Sequence, residues 1–94
     1  MSDSNFLERL KSVHDFPGPY VLKVIGDNSV EFVTGVTQAV VNIVGKSADV
    51  EVATRESSKG NHASVTIEFQ ATNAETVVRV YDVIQKMEGV RVLL

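Results

Sequence analysis

The sequence of 94 residues contains no cysteine. This absence excludes disulfide bonds, thiolate metal sites and thiol nucleophiles together, and it agrees with a reducing compartment. No apolar run approaches the roughly 20 residues that a membrane-spanning helix needs. The polar, acidic residues 1–5 also lack the basic and apolar segments of a signal peptide. We therefore expect a soluble, cytoplasmic protein that does not insert into a membrane.

Basic charge is also scarce. Nine lysines and arginines face twelve acidic residues, which gives a net charge of −3, and no basic run is present. Proteins that bind nucleic acids or anionic membrane surfaces neutralise phosphates with clustered Lys and Arg. The hydrophobic fraction of 44% and the charged fraction of 22% are instead those of an ordinary globular domain. We expect no nucleic-acid partner and no membrane partner.

The two prolines mark the main internal boundary. Both lie within residues 15–19, which end a predicted short helix over residues 4–14 that Ser4 can cap. The apolar side chains of this helix recur at helical spacing, at Phe6, Leu7, Leu10 and Val13. The chain is therefore predicted to be one domain over residues 1–94, with an N-terminal helix at 1–15 and a core at 16–94.

The core pattern predicts four strands and two long helices. Strands are predicted at residues 20–25, 49–55, 62–71 and 90–94, and a Gly-containing loop joins the second and third into a hairpin. Apolar residues three or four apart predict helices that begin at the N-caps Asn28 and Asn73 and end near Gly45 and Gly89. In the second of these helices, Glu75 and Arg79 have the spacing of an exposed ion pair.

This order predicts the α+β class. Right-handed crossovers place both long helices on one face of a four-stranded antiparallel sheet, in the βαββαβ arrangement of a ferredoxin-like split sandwich. The other sheet face is left open, and either the N-terminal helix or a second subunit could cover it. Its predicted residues are Val21, Lys23, Ile25, Glu51, Arg55, Ser64, Thr66, Glu68, Gln70, Arg91 and Leu93.

Several runs resemble the YbeD-like family of small bacterial proteins of unknown function. They are residues 56–67, which include Ser57-Ser58-Lys59-Gly60-Asn61-His62, the pair Phe16-Pro17 before residues 20–26, and the ending at residues 90–94. The resemblance covers nearly the whole chain. It implies a ferredoxin-like fold similar to the regulatory ACT domains of amino-acid-metabolising enzymes, and it implies no known catalytic activity.

Two turns are candidate binding sites. The polar loop of Ser57, Ser58, Lys59, Gly60, Asn61 and His62 could recognise a partner or an anion through its hydroxyls, ammonium and backbone amide. The turn of Gly26, Asp27 and Asn28 lies where amino acids bind to ACT-type domains, and it could admit a small metabolite. Each turn also has a purely structural interpretation, as a hairpin turn with a positive φ and as a helix cap.

The sequence contains no recognisable catalytic constellation. The two histidines have no carboxylates at metal spacing, and no nucleophile motif or phosphate loop is present. An RNA-recognition module needs displayed aromatics, which the candidate positions lack. We therefore predict a non-enzyme without cofactor or metal. It would act as a regulatory or adaptor module that binds a protein, with a homodimer allowed, and the alternative is an ACT-like sensor of an amino acid or other small metabolite.

Overall fold

The computed structural model describes residues 2–94, with side chains from residue 5 onward, so the part of the domain prediction that includes Met1 lies outside the described residues. A 3-10 turn at Lys46–Ala48 follows the first long helix. The elements are α1 (Ser2–Val13), β1 (Gly18–Asp27), α2 (Val30–Val44), β2 (Glu51–Glu56), β3 (His62–Ala71), α3 (Ala74–Gln85) and β4 (Val90–Leu93). The α+β class and the βαββαβ order after the N-terminal helix are confirmed.

The four strands form one antiparallel sheet in the order β2-β3-β1-β4. β1 and β3 are the two central strands and pair along their whole length, from Gly18 opposite Ala71 to Asp27 opposite His62. The alternation of these strands turns one set of side chains toward the helices. That set is fully buried and includes Leu22, Val24, Val65, Ile67 and Phe69.

The long helices cover this face with one apolar stripe each. Both the sheet and the two helices contribute to a single hydrophobic core. The fully buried helix positions are Val36, Val40, Val77, Val80 and Ile84. Phe32 extends the first stripe by one turn and is also buried, because it lies four residues before Val36 on the same face of the helix.

The start of α2 differs from the sequence prediction. Ser29, not Asn28, is its N-cap, because the Ser29 Oγ accepts a hydrogen bond from the Phe32 N–H at 3.0 Å. Both residues are good caps by type. The Asn28 side chain is instead hydrogen-bonded to the Gly60 carbonyl, so it does not cap the helix. The predicted cap of α3 is confirmed, since the Asn73 Oδ1 accepts from the Thr76 N–H at 2.9 Å.

The N-terminal helix packs on the helix side of the sheet. It begins at Ser2, so Ser4 lies inside it, and it lies against α3, with the Phe6 ring edge-on to Tyr81 at 5.1 Å. Leu10 joins the core, whereas Val13 is exposed rather than part of the apolar face. Glu75 pairs with Lys11 of α1 at 3.3 Å instead of with Arg79. The open sheet face is therefore not covered by α1.

The last strand is one residue out of the predicted phase. Val92 lies opposite Ile25 on the open face, and Leu93 lies opposite Val24 and packs against the core. The predicted open-face position of Leu93 is therefore wrong. The ladder shifts register between Ile25 and Gly26, and such an irregularity reverses the faces of the residues beyond it.

Among residues 2–94, every helix is too short or too polar to span a lipid bilayer.

Candidate functional site

The structure brings the two predicted turns together at one end of the sheet. Asp27 ends β1 opposite His62, the first residue of β3. Just beyond this pair, the Asn28 Nδ2 donates a hydrogen bond to the Gly60 carbonyl at 2.9 Å. The turn after β1 and the β2–β3 loop thus form one continuous surface. Sequence reasoning treated them as separate sites, because a side-chain hydrogen bond across 32 positions leaves no local signal.

The β2–β3 loop is held by its own hydrogen bonds. The Ser57 N–H donates to the His62 carbonyl and the Gly60 N–H donates to the Ser57 carbonyl, both at 2.9 Å. The Ser57 Oγ accepts from the His62 N–H at 3.2 Å. Gly60 has a φ of 74°, which a residue with a Cβ rarely adopts. The Gly60 N–H is already hydrogen-bonded within the turn. The groups that remain for a ligand are therefore the exposed side chains of Ser58, Lys59 and Asn61.

The turn after β1 is tightly packed at Gly26. A Cβ added there would overlap the Phe32 ring and the Gly89 carbonyl oxygen. The space beside Gly26 is therefore filled by the protein itself, and a ligand would reach Asp27 and Asn28 instead. Asp27 is fixed by two contacts, since its N–H donates to the Gly89 carbonyl at 3.1 Å and its carboxylate pairs with Arg91 at 3.7 Å.

A groove of about 280 Å³ runs between the start of α2 and β2. The helices do not reach over β2, so its helix-facing side is left bare beside α2. Both predicted turns border this groove. Its lining combines polar side chains with small apolar ones, and the residues are Asn28, Ser29, Val30, Val33, Thr34, Thr54, Arg55, Glu56 and Ala63.

A second surface lies on the open face of the sheet. Val21, Ile25, Val92 and Leu94 form what we call the open-face patch. Val21 is 54% exposed, Val92 is 42% exposed and Leu94 is 62% exposed, while Ile25 is half-buried. They are neighbours because Ile25 pairs with Val92 and Lys23 exchanges two backbone hydrogen bonds with Leu94. The exposed Lys23 side chain lies among them.

Among the titratable groups, the part-buried Tyr81 hydroxyl donates a hydrogen bond to the Leu94 carbonyl at 3.1 Å. Burial raises the pKa of Tyr81 above its ordinary value, and a 3.0 Å hydrogen bond with the Tyr20 hydroxyl raises it further. His14 packs against the Tyr20 ring at 5.0 Å, whereas His62 begins β3. Among the side chains of residues 5–94, no three from His, Cys, Asp or Glu are grouped to hold a metal ion.

Comparisons with known proteins agree with this architecture. Residues 11–94 match the model of a family described as a protein of unknown function, DUF493. The UPF0250 protein YbeD of Escherichia coli O1:K1 is 35% identical over 88 residues, a match that covers 92% of this chain and 97% of YbeD. The YbeD protein of Shigella boydii serotype 18 matches to the same extent.

A solved structure is also similar. The ACT domain from the GTP pyrophosphokinase of Chlorobium tepidum superposes with a TM-score of 0.61 at 12% identity, and the match covers 82% of this chain and 95% of that domain. An identity this low shows a shared fold and carries no assignment of ligand.

Proposed function

Since this chain belongs to the DUF493 family of proteins of unknown function, we propose a function from its own surfaces: it is a non-catalytic regulatory or adaptor module that binds another protein. The regulatory part of the proposal is supported by the fold shared with the ACT domain of a larger enzyme. The non-catalytic part is supported by where the reactive side chains lie. Lys59 is exposed at a loop tip, and the two histidines lie apart, His14 just after α1 and His62 at the start of β3.

The open-face patch carries the proposal. Four apolar side chains lie side by side on β1 and at the end of the chain, and no helix of residues 2–94 covers them. The removal of apolar surface from water favours association by about 25 cal/mol per Å². A contiguous apolar patch on an otherwise polar surface therefore marks a place of contact.

The patch also indicates the chemistry of its partner. Lys23 is exposed in the middle of the patch and forms no ion pair with any side chain of residues 5–94. An ammonium group surrounded by apolar side chains favours a partner with an apolar contact surface and a carboxylate opposite Lys23. Such a charge would fix the orientation of the partner while the valines and Leu94 supply contact area.

The experiment starts with cross-linking in a lysate of the source bacterium, followed by purification of the captured protein and a binding titration. Val21→Glu should abolish saturable binding, because it places a carboxylate in the patch. Val30→Glu is the matched control, since Val30 is 78% exposed on α2 and lies outside the patch. Equal binding of both variants would overturn the proposal, as would a substrate turned over by the purified chain.

The groove beside α2 favours a second candidate function, an ACT-like sensor of a small metabolite. It is concave, it is bordered by both predicted turns, and exposed polar residues such as Asn28 and Thr54 line it. A backbone amide NMR titration with pooled amino acids and central metabolites tests this function. Saturable shifts confined to residues 28–34 and 54–56 would support a sensor, and a flat response to every pool would reject it.

A further inference from the structure

We propose that strand β2 pairs with β2 of a second copy of this chain, antiparallel, around a two-fold axis at Ala53. The strand lies at one edge of the sheet, and all six of its residues are exposed. An edge strand presents a row of unpaired N–H and C=O groups that can template another strand. The pairing would join the two four-stranded sheets edge to edge.

The backbone N–H and C=O groups of β2 are oriented as this pairing requires. Hydrogen-bonded and non-hydrogen-bonded pairs alternate along an antiparallel ladder, and Ser57 is hydrogen-bonded directly to His62. Arg55, Ala53 and Glu51 therefore direct their N–H and C=O groups toward β3. The groups of Val52, Thr54 and Glu56 point away from the sheet and are available to a second copy.

The two edges of the sheet differ in their protection. β4 is short, and its ladder with β1 is interrupted by a register shift. β2 pairs with β3 in uninterrupted register from Glu51 to Glu56 and contains no proline and no lysine. Proteins block edge-to-edge association with bulges, proline and charged side chains, lysine above all. β2 has no bulge, proline or lysine, and its charged residues Glu51 and Arg55 are of opposite sign, which favours it over β4 as an interface.

The charged residues of β2 select the register of the pairing and favour a second copy of this chain as the partner. Because paired residues must both point outward, an antiparallel β2 pair can be centred at Val52, Ala53 or Thr54. Within the strand, only the axis at Ala53 places Glu51 opposite Arg55 of the second copy, and the symmetry does so twice. The same register pairs Val52 with Thr54, whose outward groups exchange backbone hydrogen bonds. The strand is therefore complementary to itself.

The isolated chain leaves these two charges unsatisfied. Glu51 lies directly opposite Glu68 on the open face, and like charges at this spacing are destabilising. Arg55 lies opposite Ser64 and forms no ion pair among the side chains of residues 5–94. A second copy would bring Arg55 beside the Glu51 and Glu68 carboxylates, and each arginine would gain a partner.

The helix-facing side of β2 also lacks a cover. Val52 is 37% exposed although the residue opposite it, Ile67, is fully buried. In the same layer, Val30 at the start of α2 is 78% exposed. In the proposed dimer, β2 of each copy becomes an inner strand of the joined sheet, and Val52 packs beside Thr54 of the other copy. The open-face patches are on β1 and beyond, so this inference does not depend on the proposed function.

Sedimentation equilibrium over a range of protein concentrations tests the pairing. The wild-type chain should form a concentration-dependent dimer. Glu51→Arg and Arg55→Glu should each raise the dimer dissociation constant by about tenfold or more, because each variant places two like-charge pairs across the axis. An equimolar mixture of the two variants should associate again, since both cross-strand pairs then carry opposite charges. Only pairing between these two positions predicts this recovery.

The same charge changes at Glu88→Arg, in the turn before β4, and Arg79→Glu, on α3, are the controls and should leave the dimer intact. Circular dichroism checks the fold, and Glu51→Arg should fold normally because it removes the repulsion with Glu68. A monomeric wild-type chain at all concentrations would overturn the proposal. So would single variants that dimerise as the wild type does, or a mixture that stays monomeric.

Discussion

The two faces of the sheet are built from the same strands, and they differ in almost every other respect. On β1, Leu22 and Val24 are completely buried under the helices, while Val21, the residue just before Leu22, points to the other face and is 54% exposed. All three are aliphatic residues of similar size. Composition alone therefore does not distinguish a stabilising position from a binding one. The alternation of the strand decides which face each residue occupies. We expect substitutions on the covered face to reduce stability and substitutions on the open face to leave it nearly unchanged.

Replacement of Ile67 by alanine should give the largest effect. Ile67 is fully buried on the covered face, so the shorter side chain loses its transfer free energy and leaves a cavity. We expect a loss of about 2–5 kcal/mol in the free energy of unfolding, measured by urea denaturation. The neighbouring Thr66→Ala on the open face should change it by less than about 0.5 kcal/mol. Similar losses at both positions would show that the two faces are not energetically distinct.

The glycines extend the comparison to backbone positions. Gly26→Ala should destabilise the protein by about 1–3 kcal/mol, because the new Cβ overlaps the Phe32 ring and the Gly89 carbonyl. Gly35→Ala is the matched change inside α2, where the nearest atom would be the flexible Met87 Cε at 3.4 Å. Helix propensity should make that variant more stable by about 0.5–1 kcal/mol. The urea midpoints should therefore move in opposite directions.

The fold could be predicted because its signals are local. The alternation of residues 62–71, the stripe of Val77, Val80 and Ile84 and the cap at Asn73 each follow from neighbours along the chain, and the structure confirms them. The errors fell where tertiary contacts decide. The register shift between Ile25 and Gly26 places Leu93 on the covered face. Glu75 forms its ion pair with Lys11 of α1 and not with Arg79.

The site was less predictable for the same reason. The residue types of both turns were sufficient to single them out, but their contact through Asn28 and Gly60 was not. The groove exists because α2 and α3 leave β2 uncovered, which depends on the position of the helices over the sheet and not on any motif. The bare open face likewise required the location of α1 against α3.

The N-cap of α2 can be tested by mutation, because the sequence predicted Asn28 and the structure shows Ser29. Ser29→Ala should cost about 1 kcal/mol, because the Phe32 N–H loses its capping acceptor. Asn28→Ala removes one exposed hydrogen bond to Gly60 and should cost clearly less than Ser29→Ala. Thermal unfolding of both variants ranks the two residues. A larger loss at Asn28 would restore it as the cap and would contradict the structure.

The smallest effect is expected at Glu75, an exposed residue of α3, where the free energy of unfolding should depend on pH. Hydrogen bonds from its own backbone N–H and from Lys11 lower the pKa of Glu75 below 4.5 in the folded chain. A lowered folded pKa stabilises the fold at pH values above the unfolded pKa, and this stabilisation is lost as the pH falls through the folded pKa. The stability difference between the wild type and Glu75→Gln should therefore be constant near neutral pH and shrink below about pH 4.5. Because the backbone hydrogen bond is the larger cause, Lys11→Met should keep most of this pH dependence. A difference that grows toward acid pH would mean that the folded chain does not favour the charged form of Glu75.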